Sequence, residues 1–182
     1  MHISLTFIAQ HYNLVRAYLF KGKHEQGCFL FVDSSNDGSS ITLRIKEIHF
    51  IGSDGWNFQS GYHLELNEEE KVRVMQKARE LNCHLIECHS HRFGGIASFS
   101  PSDIKGLGEF VQYIWWKLPN KIYGAVVFTK NDLQGQIWLP KDEAPKRIAE
   151  ITVVDKNHNI WVVNKEISRR PFYDILKRWR HE

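Results

Sequence analysis

The chain has few cysteines, no long apolar run and little excess of charge of either sign. Its three cysteines are an odd number without the spacing of a disulfide scaffold, which favours a reducing environment. No stretch approaches the roughly 18 apolar residues that a membrane span needs, and no signal peptide is evident at residues 1–7. We therefore expect a cytoplasmic protein without a membrane span.

The balance of charge also limits the partners. Lys and Arg number 24 while Asp and Glu number 21, which leaves a formal net charge of +3. A nucleic-acid-binding domain usually carries a larger basic excess, so we expect no nucleic-acid partner. With 42% hydrophobic residues among 182, the chain can bury one substantial core, and we predict a single domain over residues 1–182.

The most informative motif is His89-Ser90-His91, which is followed twelve residues later by Asp103. Two imidazoles one residue apart leave an extended strand on the same side. Residues 83–89 have the composition of a strand, and Ser100 is in the position of a helix N-cap, with Asp103 at the third helical position. Imidazole nitrogens and carboxylate oxygens are zinc ligands, and a catalytic zinc site uses three of them.

A simpler interpretation exists for each part of this motif. Ser-x-x-Asp is a capping pattern of many helices without function, and a lone histidine is more often a surface or core residue than a ligand. The combination of the histidine pair with a downstream carboxylate is much less common by chance. We therefore predict a metal site formed by His89, His91 and Asp103.

A second strand is predicted by the alternating pattern of residues 41–51. Glu47 and His49 interrupt its apolar face, which is formed by Ile41, Leu43, Ile45 and Ile51. A carboxylate on such a face needs a partner, and a metal-bound water is a suitable one, with Glu47 as general base. The alternative is that this end of the strand simply emerges into solvent, and periodicity alone leaves both open.

Two neighbours of the motif are competing candidates. Glu87 shares a strand face with His89 and is a second choice for the general base, although it would lie too deep or to one side. Cys88 should point to the opposite face, so we predict a buried thiol rather than a ligand or nucleophile.

The order of an upstream glutamate, His-Ser-His and Ser-x-x-Asp resembles the JAMM (JAB/MPN-plus) metallopeptidases. The compact bacterial members linked to ubiquitin-like conjugation systems are most similar, over about residues 25–140. The resemblance implies an α/β, single-domain MPN-like fold: a mixed β-sheet flanked by helices in a cytidine-deaminase-like architecture. Two features depart from the family pattern. Arg92 stands where many members have proline, and the interval from His91 to Ser100 is one residue longer than usual.

The resemblance also implies roles for these residues. His89, His91 and Asp103 would hold one zinc ion. Glu47 would take a proton from the metal-bound water and pass it to the leaving amine, and the Ser100 hydroxyl would stabilise the oxyanion.

The implied enzyme is a zinc metallopeptidase that cleaves after the C-terminus of a ubiquitin-like protein, either to mature it or to remove it from conjugates. Its partners would be that protein, its conjugates and the activating or conjugating enzymes of the same system. Two alternatives stay open: a hydrolase of sulfur-carrier or other small-peptide amides, and a non-catalytic scaffold or binding module.

The regions outside the motif are less informative. A C-terminal extension over residues 145–182 should contain a hairpin around residues 155–159. It should end in a basic amphipathic helix from Pro171, with Phe172, Ile175, Leu176 and Trp179 on one side and Lys177, Arg178 and Arg180 on the other. Residues 54–61 are a candidate substrate loop because Trp56 and Phe58 look exposed, but the residues that bind substrate are not identified by the sequence.

Overall fold

The computed structural model describes residues 1–93 and 95–165, with the backbone alone at Lys165. The chain forms an α/β fold with a large mixed sheet, which confirms the predicted fold class at this level. Its elements in chain order are β1 (His2–Ile8), α1 (Ala9–Leu19), β2 (Gly27–Asn36), β3 (Ser40–Phe50), β4 (Trp56–Gln59), β5 (Leu64–Leu66), α2 (Glu68–Glu80), β6 (His84–Ser90), α3 (Pro101–Lys117), β7 (Tyr123–Phe128), β8 (Leu133–Trp138), β9 (Lys146–Arg147), β10 (Glu150–Val154) and β11 (Ile160–Lys165).

The main sheet has nine strands in the order β11-β10-β1-β3-β2-β6-β7-β8-β9, while β4 and β5 form a separate hairpin. The β1–β3, β1–β10 and β6–β7 pairs are parallel, and the other neighbours are antiparallel. β7 is buried along its whole length, as its continuous apolar sequence predicts for a central strand.

One face of the curled sheet forms the first of two apolar clusters. Residues from distant strands meet there, including Leu5 in β1, Leu30 in β2, Ile137 in β8 and Ile151 in β10. The curl also brings β11 to β8, where the Asn164 side chain donates to the Leu133 carbonyl. Helix α1 covers part of this face with Val15 and Leu19.

Helices α2 and α3 cover the opposite face of the sheet and form the second cluster with it. Asn67 caps α2, because its side chain accepts a hydrogen bond from the Glu70 amide at 2.8 Å. The buried face of α2 includes Val74, Met75 and Ala78. These two helices fix the surface on which the candidate site lies.

A bulge in β3 changes which of its side chains share a face. The register with β2 shifts between the Phe31–Glu47 and Val32–Ile45 pairs, which leaves one extra residue in β3. Ile45 therefore packs against the first cluster, whereas Ile51 belongs to the second. The prediction that these two residues lie on one face is wrong, because strict alternation assumes that the ladder is uninterrupted.

The predicted C-terminal hairpin is present as β10 and β11, with the turn at residues 155–159. Its first strand pairs in parallel with β1, so the hairpin continues the main sheet. The predicted basic helix from Pro171 lies outside the described residues. None of the helices in the described part of the chain is long and apolar enough to cross a membrane.

Candidate metal centre

The two motif histidines lie at the end of β6, between β2 and β7. His89 pairs in register with Gly27 on one side and Val127 on the other. His91 follows the strand, and its amide donates to the Phe128 carbonyl at 2.7 Å, which extends the ladder by one step. Both rings therefore leave the same side of the strand, and their centroids are 5.1 Å apart.

The first turn of α3 brings Asp103 to these rings. Its Oδ2 is 3.1 Å from His91 Nε2, and its Oδ1 is 3.7 Å from His89 Nε2. The helix begins here because Ser100 and Asp103 form a capping box: the Ser100 hydroxyl accepts from the Asp103 amide, and the Asp103 carboxylate accepts from the Ser100 amide. The same hydrogen bonds that start the helix therefore aim the carboxylate at the histidines.

The three side chains together could hold a metal ion. Each offers one ligand atom, and these atoms lie within 4.8 Å of one another. His89 Nε2 is buried without a hydrogen-bond partner and points into the cluster, which is unusual for a polar atom unless a ligand completes it. Two imidazole nitrogens and one carboxylate oxygen match the donor set of a catalytic zinc site. The donor set therefore fits zinc.

The electrostatics of the cluster favour a bound positive charge. Burial lowers the pKa of His89, but the nearby carboxylates of Asp103 and Glu87 outweigh it and raise that pKa to about 10. Burial raises the pKa of Asp103, but the nearby rings of His89 and His91 and the Ser100 amide hold it well below the usual range. The site therefore attracts either a proton or a metal cation.

Ser100 caps α3 through its oxygen, and its hydroxyl group can still donate a hydrogen bond. Its oxygen accepts the hydrogen bond from the Asp103 amide at 3.1 Å, so the hydroxyl proton is not used in the cap. The capping role and the expected contact with an oxyanion are therefore chemically compatible.

The structure does not bring Glu47 to this cluster. Glu47 pairs in register with Phe31, and Phe31 pairs with Leu85, four residues before His89. At roughly 3.3 Å per residue, the offset along the strand alone is about 13 Å. The carboxylate is 43% exposed and forms an ion pair with Lys77 of α2 at 2.9 Å. The expected position of Glu47 beside the metal is thus corrected: this end of the strand faces solvent and α2.

Glu25, which the sequence analysis did not single out, lies beside the cluster instead. It is 6% exposed and lines the same cleft as His89 and Asp103. Burial raises the pKa of its carboxyl to about 6, against the opposing influence of the nearby rings of His91 and His89. A buried carboxylate with a raised pKa beside a candidate metal site is a candidate general base.

The motif itself helps to hold Glu25 in place. The Ser90 hydroxyl accepts from the Gln26 amide at 3.0 Å, and the Ser90 amide donates to the Gln26 carbonyl at 3.1 Å. The Glu25 amide donates to the Ser60 carbonyl at 2.8 Å. Ser90, between the two histidines, therefore ties their strand to the residue next to Glu25.

Arg92 makes a second connection between the motif and the segment before Glu25. Its guanidinium donates to the carbonyls of Phe20, Lys21 and His24 at distances from 2.6 to 3.2 Å. Arg92 thus holds the loop that leads to Glu25.

The remaining neighbours of His89 lie as follows. Cys88 is fully buried in the first cluster, on the opposite face of the sheet, which confirms the predicted buried thiol. Glu87 lies on the His89 face, but it approaches Nδ1 of the ring, with 3.6 Å between Glu87 Oε1 and that atom. It is therefore on the other side of the ring from Asp103.

A cleft of about 480 Å³ leads to the cluster between the β4–β5 hairpin and α3. Phe29 and Leu66 line it, together with Phe110 and Gly106 of α3. In the expected substrate loop Phe58 is exposed, whereas Trp56 is partly buried, packs on the second cluster and lines the cleft. The expectation of an exposed side chain is therefore wrong for Trp56.

Only a weak sequence signal could have found Glu25. It stands two residues before β2, whose first six residues (Gly-Cys-Phe-Leu-Phe-Val) carry no polar side chain apart from the small cysteine thiol. A strand with such a sequence belongs in the middle of a sheet, and a polar residue at its end can reach a site at the end of the neighbouring strand. The register that places it opposite His91 is not a property of the local sequence.

Comparisons with known proteins identify a shared fold. No protein-family model matches the chain, and no curated protein does. Among solved structures, the chain is similar to the solution structure of protein DSY2949 from Desulfitobacterium hafniense, with a TM-score of 0.52 and 14% identity. The match covers 85% of this chain and 94% of that one. At this identity the likeness concerns the fold alone.

Proposed function

We propose that the protein is a zinc-dependent peptidase of the JAMM type with an MPN-like fold. It would cleave the amide bond after the C-terminus of a ubiquitin-like protein. The observation that carries the proposal is the convergence of His89, His91 and Asp103, with the buried Glu25 on the same cleft. A scaffold without catalysis needs none of these four groups to converge.

The residues divide the chemistry among them. His89, His91 and Asp103 would hold the zinc ion. A zinc ion held in this way lowers the pKa of a bound water to roughly 7 and polarises a carbonyl. Glu25 would take a proton from the attacking water and pass it to the leaving amine, because its carboxylate is buried in the cleft that also contains His89 and Asp103. The Ser100 hydroxyl donates to the oxyanion that develops on the scissile carbonyl.

The cleft supports an extended peptide as the substrate. Its walls are β5 on one side, through Leu64 and Leu66, and α3 on the other, through Gly106 and Phe110. β5 pairs only with β4 among the described strands, so one of its edges is free to add a substrate strand. Gly106 presents no side chain, and the space where its Cβ would lie is open. A flexible C-terminal tail fits this channel better than a folded surface does.

The decisive experiment uses the zinc-loaded chain and a ubiquitin-like protein fused through its C-terminus to a reporter peptide. We expect a single cut after the tail, seen by mass spectrometry, and cleavage slower by a factor of about 10² or more with the Glu25→Gln variant. Cleavage of short peptide amides but not of the fusion would favour the alternative of a small-peptide hydrolase. Absence of zinc from the purified and zinc-treated protein would contradict the metal chemistry altogether.

A further inference from the structure

A carboxylate that the proposed hydrolysis does not use lies directly beneath a metal ligand. Glu87 precedes His89 by two residues in β6, so both side chains leave the same face of the strand. Glu87 Oε1 is 3.6 Å from His89 Nδ1, and Glu87 Oε2 accepts a hydrogen bond from the Tyr123 hydroxyl at 2.9 Å. Tyr123, Glu87 and His89 thus form a continuous row of polar contacts from the interior of the second cluster to the metal site.

The two nitrogens of the His89 ring face different groups. Nε2 faces Asp103 and is buried without a hydrogen-bond partner, while Nδ1 faces Glu87. A histidine that binds metal through Nε2 must be neutral, with its proton on Nδ1. That proton needs an acceptor, and Glu87 Oε1 is the carboxylate placed to accept it.

Tyr123 fixes the position of Glu87. Tyr123 is fully buried, its ring stacks on Trp138 with centroids 5.7 Å apart, and the edge of Phe110 meets it at 5.8 Å. These contacts leave the hydroxyl little freedom. A partly buried carboxylate is costly without partners, so the hydrogen bond from the tyrosine hydroxyl and the nearby His89 ring explain why this acid is tolerated here.

We propose that Glu87, held by Tyr123, is a positioning residue of the metal centre. It fixes the tautomer and orientation of His89 and strengthens the ring as a ligand, as outer carboxylates do at other zinc–histidine sites. Glu87 does not act as the general base, because it lies on the Nδ1 side of the ring while the other ligands lie on the Nε2 side. The inference rests on the proposed metal site.

The test compares the zinc affinity of four forms of the full chain by competition with a chromophoric chelator. Glu87→Gln keeps the shape of the side chain but weakens the acceptor, and Tyr123→Phe removes the hydroxyl that holds it. Glu109→Gln is the matched control, since Glu109 also lines the cleft but is 72% exposed and pairs with Lys105. We expect zinc to bind about 10–100-fold more weakly to Glu87→Gln, several-fold more weakly to Tyr123→Phe, and unchanged to the control.

A spectroscopic measurement separates positioning from general damage to the fold. In the zinc-loaded wild type, nitrogen NMR of labelled histidine should show the His89 proton on Nδ1, and the cobalt-substituted protein should change its visible spectrum when Glu87 is altered. Equal zinc affinity of Glu87→Gln, Tyr123→Phe and the control would overturn the inference while leaving the proposed function intact. A wild type that binds no zinc would overturn the proposed function as well.

Discussion

Glu25 and Glu47 belong to neighbouring parts of one β2–β3 hairpin and have opposite environments. Glu25 is 6% exposed beside the His-His-Asp cluster, whereas Glu47 is 43% exposed and paired with Lys77. Burial raises the pKa of Glu25 to about 6. The difference arises from register, because Glu25 precedes the end of β2 that pairs with the end of β6, while Glu47 lies opposite Phe31 in the middle of β2. The environment of each glutamate therefore depends on its position along the sheet, although the two side chains are identical.

The largest effect should come from removing a ligand at the sheet end. His89→Ala should lose stoichiometric zinc, because two ligands hold the ion far more weakly than three. His49→Ala is the matched control in the Glu47 region, where the His49 ring contacts the Glu70 carboxylate. Metal analysis of both proteins after dialysis against zinc measures the effect. One zinc ion per chain in His89→Ala would contradict the assigned site.

The second largest effect should distinguish Glu25 from Glu47 by the rate of hydrolysis. Glu25→Gln should keep its zinc but hydrolyse the substrate about 10²–10⁴-fold more slowly, because that factor is the usual contribution of a general base. Glu47→Gln should keep both zinc and rate, since its side chain faces α2 and solvent. A steady-state assay on the fused ubiquitin-like substrate compares them. If Glu47→Gln is the slow variant, the base has been misassigned.

These two regions also show how far sequence reasoning extends. His89, His91 and Asp103 lie within fifteen residues on one strand, one loop and one helix start, so local spacing and capping rules were enough to group them. The continuous apolar run of β7 likewise predicts a central, buried strand.

The position of the proposed general base depends on information that is not local. Alternation along β3 suggested that Glu47 shares a face with Ile41 and Leu43, but the bulge before it moves it to the other face. Glu25 reaches the site only through the pairing of β2 with β6, since Gly27 pairs with His89. A single sequence carries neither the bulge nor the register.

Burial of Glu25 should also make the metal-free protein sensitive to pH. Its pKa is raised from 4.5 to about 6, so the folded state binds this proton more tightly than the unfolded state does. Stability from this group is therefore complete below pH 4.5 and lost as the pH rises through 6. Metal-free Glu25→Gln should gain about 2 kcal/mol over wild type at pH 7.5 and nothing at pH 4. Urea unfolding at the two pH values measures this, and a pH-independent difference would contradict it.

A smaller effect is expected where Arg92 fastens the loop before Glu25. Arg92→Lys keeps the charge but cannot reach three carbonyls at once, so Glu25 should be positioned less accurately. We expect about a tenfold loss in rate with zinc affinity unchanged. Arg79→Lys is the control, because Arg79 donates two hydrogen bonds to the Lys117 carbonyl. Equal losses in both variants would assign the effect to stability alone.

The smallest effect should be seen at Glu47 itself. Its ion pair with Lys77 joins two side chains that are 43% and 37% exposed, and such pairs contribute little because water and salt screen them. Glu47→Gln should therefore shift the urea midpoint only slightly downward in low salt, and the shift should vanish in 1 M sodium chloride. The same substitution at Glu25 shifts the midpoint upward at pH 7.5. Opposite signs for one chemical change would show that position in the sheet determines what a glutamate does here, whereas matching signs would remove the distinction between the two regions.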